Sequence, residues 1–199
     1  MLQMTTSWLS DNYIELSGAL LGLAYIILSI RQNILTWPAG LLSSLLYIVV
    51  FFNAKIYAAM GLQVYYVGMS FYGWYFWLMG RKEEPAGKVP VTNLTGRQGM
   101  IISMVALPIF GLIFLLLRRF TDSPVPFMDS LISTLGIMGT WMLARKILFN
   151  WIIWIVSDLC ATFLYMSRGL WPTTFLYMVY LSLAVYGYVT WKRSMSQQG

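Results

Sequence analysis

Residues 99–117 read Gly-Met-Ile-Ile-Ser-Met-Val-Ala-Leu-Pro-Ile-Phe-Gly-Leu-Ile-Phe-Leu-Leu-Leu, 19 positions without a charged side chain. As a helix this stretch rises about 28 Å, close to the ~30 Å hydrocarbon thickness of a bilayer. The composition around it agrees. Of 199 residues 59% are hydrophobic and 10% charged, against about 25% charged in an average soluble domain. So few charges cannot cover a soluble surface. Hydropathy places six further spans near 13–30, 35–53, 56–80, 127–144, 147–167 and 170–191. The expectation is an all-α polytopic membrane protein, one transmembrane domain over 1–199 with seven transmembrane helices.

The same composition narrows the chemistry. Without histidine there is no Ser-His-Asp triad, no HExxH zinc site and no imidazole proton shuttle. A lone Cys160 within an apolar run cannot form an intramolecular disulfide, a zinc knuckle or an iron–sulfur ligand set. No catalytic residue, metal or cofactor is expected. The net charge of +6 is spread over loops and reads as membrane topology, not as a nucleic-acid surface. The first twelve residues hold Asp11 and no Lys or Arg, unlike a cleavable signal peptide, so the N-terminus is expected to stay.

Most connections are short: Arg31-Gln32-Asn33, Asn53-Ala54-Lys55, Arg145-Lys146 and Ser167-Arg168-Gly169. The loop 81–98 is long, rich in charge, Pro and Gly, and is expected to be irregular and solvated. With the N-terminus outside, Arg31, Arg81, Lys82, Lys88, Arg97, Arg145, Lys146, Lys192 and Arg193 are cytoplasmic. Lys55, Arg118, Arg119 and Arg168 are then outside, a bias of nine to four. The positive-inside rule therefore favours an outer N-terminus and a cytoplasmic C-terminus.

Shifting the chain by 114 residues aligns 13–77 with 127–191 without a gap. Leu21-Gly22 falls on Leu135-Gly136, Arg31 on Arg145, Trp37 on Trp151 and Ser43 on Ser157. Leu62, Tyr66, Tyr72-Gly73 and Trp77 fall on Leu176, Tyr180, Tyr186-Gly187 and Trp191. The architecture expected is 3+1+3: repeat one at 13–80, the cytoplasmic loop 81–98, a linking helix at 99–117 and repeat two at 127–191. Four spans separate the starts of the repeats, so they run the same way through the membrane, the parallel kind of repeat found in transporters.

Candidate site residues cluster on the sixth span. At about 100° per residue Trp151, Trp154 and Asp158 share a helical face, with Asn150 just before them. Asp158 lies twelve residues beyond Lys146, about 18 Å along a helix and near mid-membrane. An intramembrane carboxylate is costly and marks a site or a polar partner. Two indoles beside it suit the stacking of a flat, positively charged ring. Trp151, close to the basic pair, also suits an interfacial belt. The equivalent stripe on the second span is Trp37, Gly40 and Ser44, small residues that leave room for a ligand or permit close helix packing. Gln63 on the third span offers both a donor and an acceptor. Tyr66 and Tyr180 are cavity-lining candidates among many tyrosines. Glu15 and Asp129 sit in first turns, where a carboxylate stabilises the helix N-terminus.

These features together, Leu62-Gln63-Val64, Tyr72-Gly73-Trp74-Tyr75-Phe76-Trp77, Pro126-Phe127-x-Asp129-Ser130, Arg145-Lys146 and Asn150-Trp151-x-x-Trp154, resemble the PnuC family of bacterial vitamin transporters from about 13 to 191. The resemblance implies a fold related to the SWEET sugar carriers, often a homotrimer in the bacterial inner membrane. It implies uptake of an unphosphorylated vitamin by facilitated diffusion, trapped by a cytoplasmic vitamin kinase. It implies that Trp151, Trp154 and Asp158 face the ligand and that Gln63 contacts it. Nicotinamide riboside carriers of the family typically have Asn where this chain has Asp158, which favours thiamine, the substrate of the PnuT branch. Membrane lipid is the other partner expected. Rival readings are an intramembrane hydrolase, which needs a second deep carboxylate, and a seven-span sensor that binds without transport.

Overall fold

In the computed structural model the described residues, 13–53, 57–83 and 89–197, form seven helices. They are α1 Tyr13–Ile30, α2 Thr36–Asn53, α3 Tyr57–Glu83, α4 Gly96–Phe120, α5 Pro126–Ala144, α6 Asn150–Ser167 and α7 Trp171–Ser196. Five stretches are long and apolar enough to cross a bilayer: α2, α4, α5, α6 and Thr173–Ser196 of α7. Leu16–Ile30 of α1 adds a shorter apolar stretch. α3 has 27 residues, ample length, but Tyr65, Tyr66, Tyr72, Trp74 and Tyr75 lower its mean hydropathy. The chain is a multi-pass, all-α membrane protein. Residues 1–12, Lys55 and Lys88, which entered the readings of terminus and topology, lie outside the described residues, as do the side chains of Glu15, Arg81 and Lys82.

The 114-residue offset reappears in the backbone. Ile30 and Ala144 end helices, Thr36 and Asn150 begin them, Asn53 and Ser167 end the next pair, and Tyr57 and Trp171 open the third. The turns share one geometry. Gln32 and Lys146 both have φ 52°. Asn33 N donates to Leu28 O and Gln32 N to Ser29 O, as Ile147 N donates to Met142 O and Lys146 N to Leu143 O. Each is a Schellman ending whose left-handed residue is not glycine. This ending takes up residues 145–149, so α6 begins at Asn150 and not at the expected 147.

Contacts divide the chain into a unit ending at Tyr75 and a unit beginning at Phe76. In the first, α1 packs on α2, with Ser43 Oγ donating to Gly18 O at 2.8 Å. Trp37, fully buried, lies where a Cβ on Gly73 of α3 would stand, and the Tyr25 ring lies 2.8 Å from the Cβ position of Gly40. Only a bare backbone admits rings this close.

In the second unit α4 opens with a capping box, Thr95 and Gln98 exchanging backbone and side-chain bonds. Its long faces carry exposed Met100, Met104, Leu107 and Leu115, as lipid contact requires. Phe110 meets Phe127 of α5 edge to face at 5.4 Å. Hydroxyls within these apolar helices bond back to carbonyls one turn earlier, Thr134 to Ser130 and Thr140 to Gly136 among them, so they add little desolvation penalty. Asp129 accepts a bond from the Ser123 hydroxyl at the start of α5, a helix-terminal role.

The long loop departs from expectation. Its second half, 89–95, is held against the turn after α5. Thr92 N donates to Lys146 O and Leu148 N to Thr92 O, a parallel bridge between Thr92 and Ile147. Val89 and Val91 are buried, and Val89 seats on Gly80 of α3. Lys146, 3% exposed, donates to Val89 O at 3.0 Å with its ammonium 4.5 Å from the Trp77 ring centre. Trp77 Nε1 in turn donates to Ala144 O. The apolar Val-Pro-Val run is what makes this segment a packed strap.

Candidate functional site

Asp158 is the ninth of the 18 residues of α6, midway along a helix of membrane length. It is buried, 6% exposed, yet no described residue hydrogen-bonds its carboxylate, the Thr162 hydroxyl going to its backbone carbonyl. The Tyr177 phenol of α7 lies within electrostatic reach of it, but a buried carboxylate that accepts no hydrogen bond is costly, and a cationic ligand would relieve it. Trp154, one turn earlier, is half-buried. Its indole lies 3.1 Å from the Cβ position of Gly139 on α5, so the bare backbone of α5 seats the ring.

Trp151 is placed otherwise. It is 3% exposed, fills the space over Gly187 of α7 at 2.5 Å from that Cβ position, and meets Trp191 edge to face at 5.5 Å. Trp37 does the same over Gly73 in the first unit. These two rings are packing elements within their units, and the interfacial belt does not describe Trp151. Beside it, Asn150 is wholly buried, with Nδ2 donating to Ile147 O at 2.7 Å. Asn150 Oδ1 and Trp151 Nε1 find no partner among the described residues, which leaves an acceptor and a donor open at the head of α6.

On α3, Gly73 meets Trp37 and Ser70 lies beside Gly40, so the face carrying Gln63, Tyr66, Ser70 and Gly73 turns toward α2. Gln63 is half-buried there, and Tyr66 meets Tyr65 edge to face at 5.6 Å. Ser44 is buried on α2. The room expected beside Gly40 is filled by Tyr25. On α7, Tyr180 leans on Tyr177 at 5.7 Å, and Tyr177 stacks on Tyr165 of α6 at 5.2 Å. Asp158 lies on α6 halfway between its Trp151 and Tyr165 contacts with α7. The first unit thus holds Trp37, Ser44, Gln63 and Tyr66, and the second holds Asn150, Trp151, Trp154, Asp158 and Tyr180. Sequence reasoning passed over Tyr25 and Gly139. The offset sets Tyr25 opposite Gly139 and Gly40 opposite Trp154, an exchange that a search for identities cannot see.

Comparison with known proteins agrees with the all-α membrane fold. The family described as nicotinamide mononucleotide transporter matches residues 12–193. The nicotinamide riboside transporter PnuC of Escherichia coli strain K12 is 22% identical, over 94% of this chain and 88% of its own. The riboflavin/roseoflavin transporter RibM of Streptomyces davaonensis is 28% identical, over 89% and 83%. A crystal structure of the vitamin B3 transporter PnuC superposes with a TM-score of 0.75 at 22% identity, over 99% of this chain and 88% of that one, a likeness of fold.

Proposed function

Because the chain belongs to the nicotinamide mononucleotide transporter family, the PnuC family, and is a transporter and not an enzyme, we propose that it carries a flat vitamin with a fixed positive ring into the cell. The observation that carries this is Asp158, a buried carboxylate at the middle of α6 without a bond from any described residue. Trp154 beside it supplies a ring face, and cation–π attraction acts with the Coulomb term. The other residues read from the sequence as ligand contacts stay part of this proposal, Ser44, Gln63 and Tyr66 in the first unit, Asn150, the Trp151 indole N–H and Tyr180 in the second. Trp37 and Trp151 brace the helices that present them.

Within that class we favour thiamine. Its aminopyrimidine offers an exocyclic amine, for which a carboxylate is a strong acceptor. The carboxamide of nicotinamide riboside is both donor and acceptor, a pair that Asn matches and an ionised Asp does not. Nicotinamide riboside is the second reading, and the names of the relatives support it better than they support thiamine. Riboflavin, named for another relative, lacks the fixed charge. The test is calorimetric binding of thiamine and nicotinamide riboside to the parent and to Asp158→Asn. Thiamine bound by the parent and weakened by the substitution supports the first reading. Nicotinamide riboside bound tightly with thiamine ignored establishes the second.

The remaining parts of the proposal concern the cell. The carrier works as a homotrimer in the bacterial inner membrane, N-terminus outside, C-terminus in the cytoplasm. Transport is passive, by alternating access, and a cytoplasmic vitamin kinase makes it unidirectional. No GxxxxGK[ST] loop occurs in the sequence, and the spans hold a single deep carboxylate, which supports carriage without ATP or an ion gradient.

A further inference from the structure

The face of α6 turned to α7 carries Trp151, Asp158, Ala161 and Tyr165 at helical spacing. Trp151 sits over Gly187, and the two helices run antiparallel across the short turn after Ser167. Seven residues on from Trp151 and seven back from Gly187, Asp158 stands opposite Tyr180. One turn further, the wholly buried Ala161 stands opposite Tyr177 and leaves room for its ring. Tyr177 stacks on Tyr165 at 5.2 Å. The two hydroxyls are within hydrogen-bonding reach of each other, and Tyr177 is within electrostatic reach of Asp158. Its phenol therefore has two acceptors at hand, a phenol oxygen and a carboxylate.

The internal repeat shows that this arrangement goes with the carboxylate. Under the 114-residue offset Asp158, Tyr165 and Tyr177 fall on Ser44, Phe51 and Gln63. Where the first unit has a neutral hydroxyl, it has a ring without a hydroxyl and an amide at the other two positions. Where the second unit has the carboxylate, it has two phenols. Tyr66 and Tyr180 match, so a phenol at that position does not depend on the charge beside it.

A passive carrier that delivers its vitamin without exchange must return empty. A carboxylate in mid-helix then has no cationic partner, and moving it unpaired through that return is costly. A phenol donating to it is a charge-assisted bond that offsets the cost. We propose that Tyr177 is a positioning residue that serves Asp158 in the empty carrier. Its hydroxyl turns from Tyr165 to the carboxylate when no vitamin is bound, and back to Tyr165 when the vitamin takes Asp158. The structure shows the phenol on Tyr165, one side-chain rotation from the other acceptor. This rests on the reading of Asp158 as the group that holds a cationic vitamin.

The test has two arms, both on full-length protein, with Tyr177→Phe, which keeps the ring and its stacking. Without ligand, Tyr177→Phe is expected to lower the thermal transition by about 2–4 °C in the parent and to leave it unmoved in an Asp158→Asn background. In vesicles, net uptake of labelled thiamine or nicotinamide riboside is compared with exchange against the same vitamin at saturation on both sides, which needs no empty return. Tyr177→Phe is expected to slow net uptake about tenfold, the range of one bond to a charged group, with exchange within twofold of the parent. An equal thermal loss in both backgrounds, or net uptake and exchange that change together or not at all, overturns the proposal. Vitamin affinity unchanged by Asp158→Asn rejects the reading of Asp158 instead. A parent that carries neither vitamin rejects the substrate reading, and the ligand-free arm then decides whether Tyr177 serves Asp158.

Discussion

At the scale of single residues, a missing Cβ matters as much as any functional group. Gly187 has no side chain because the Trp151 ring occupies its space. Gly187→Ala forces ring or backbone to move, a strain of about 1–3 kcal/mol for an overpacked site. We expect a lowered thermal transition of purified protein in detergent, and an unchanged transition would mean that the helices separate at no cost. Asp158→Asn acts in the opposite sense. It removes a buried charge that no described residue hydrogen-bonds, so thermal stability should hold or rise while affinity for a cationic vitamin falls. Loss of stability on this substitution would identify Asp158 as a packing residue.

At the scale of elements, the two repeats keep the same helix bounds and the same Schellman turns, and they differ in what the turn carries. Gln32 stands in one and Lys146 in the other, both at φ 52°. The ammonium of Lys146 ties Val89 O and the Trp77 ring to the end of α5. Lys146→Met keeps the volume and leaves the Val89 carbonyl without that donor, a loss of about 1.5–3 kcal/mol for a bond to a charged group. Hydrogen exchange should then quicken at the amides of Thr92 and Leu148, which bridge the strap and the turn. Unchanged exchange at both would show that the backbone bridge holds without the lysine.

For the whole molecule, the family makes it a transporter, and the proposed passive mechanism has a direct measurement. Vesicles holding the purified protein and loaded with no energy source should take up labelled vitamin until inside and outside concentrations are equal. Accumulation beyond equality that collapses with a protonophore, or on removal of sodium, would replace facilitated diffusion with coupling.

Much of the fold was legible in the residues, because a bilayer leaves few choices. Every span must close its own backbone bonds as a helix, so hydropathy alone placed the seven elements to within a few residues. The gapless 114-residue offset marked equivalent positions before any coordinates. Asp158 and Trp154 stood out because a charge is costly in hydrocarbon and because helical spacing sets them on one face. What only the tertiary structure decided was which aromatic rings are packed inside a unit and which keep a free surface. Periodicity treats Trp151 and Trp154 alike, whereas Gly187 of α7 takes the first ring into the packing and Gly139 of α5 merely seats the second. The strap at 89–95 was hidden for the same reason. Its polar neighbours suggest a solvated loop, and contacts far along the chain, the buried Lys146 on Val89 57 residues before it and the bridge of Thr92 to the same turn, reveal the segment as part of the core.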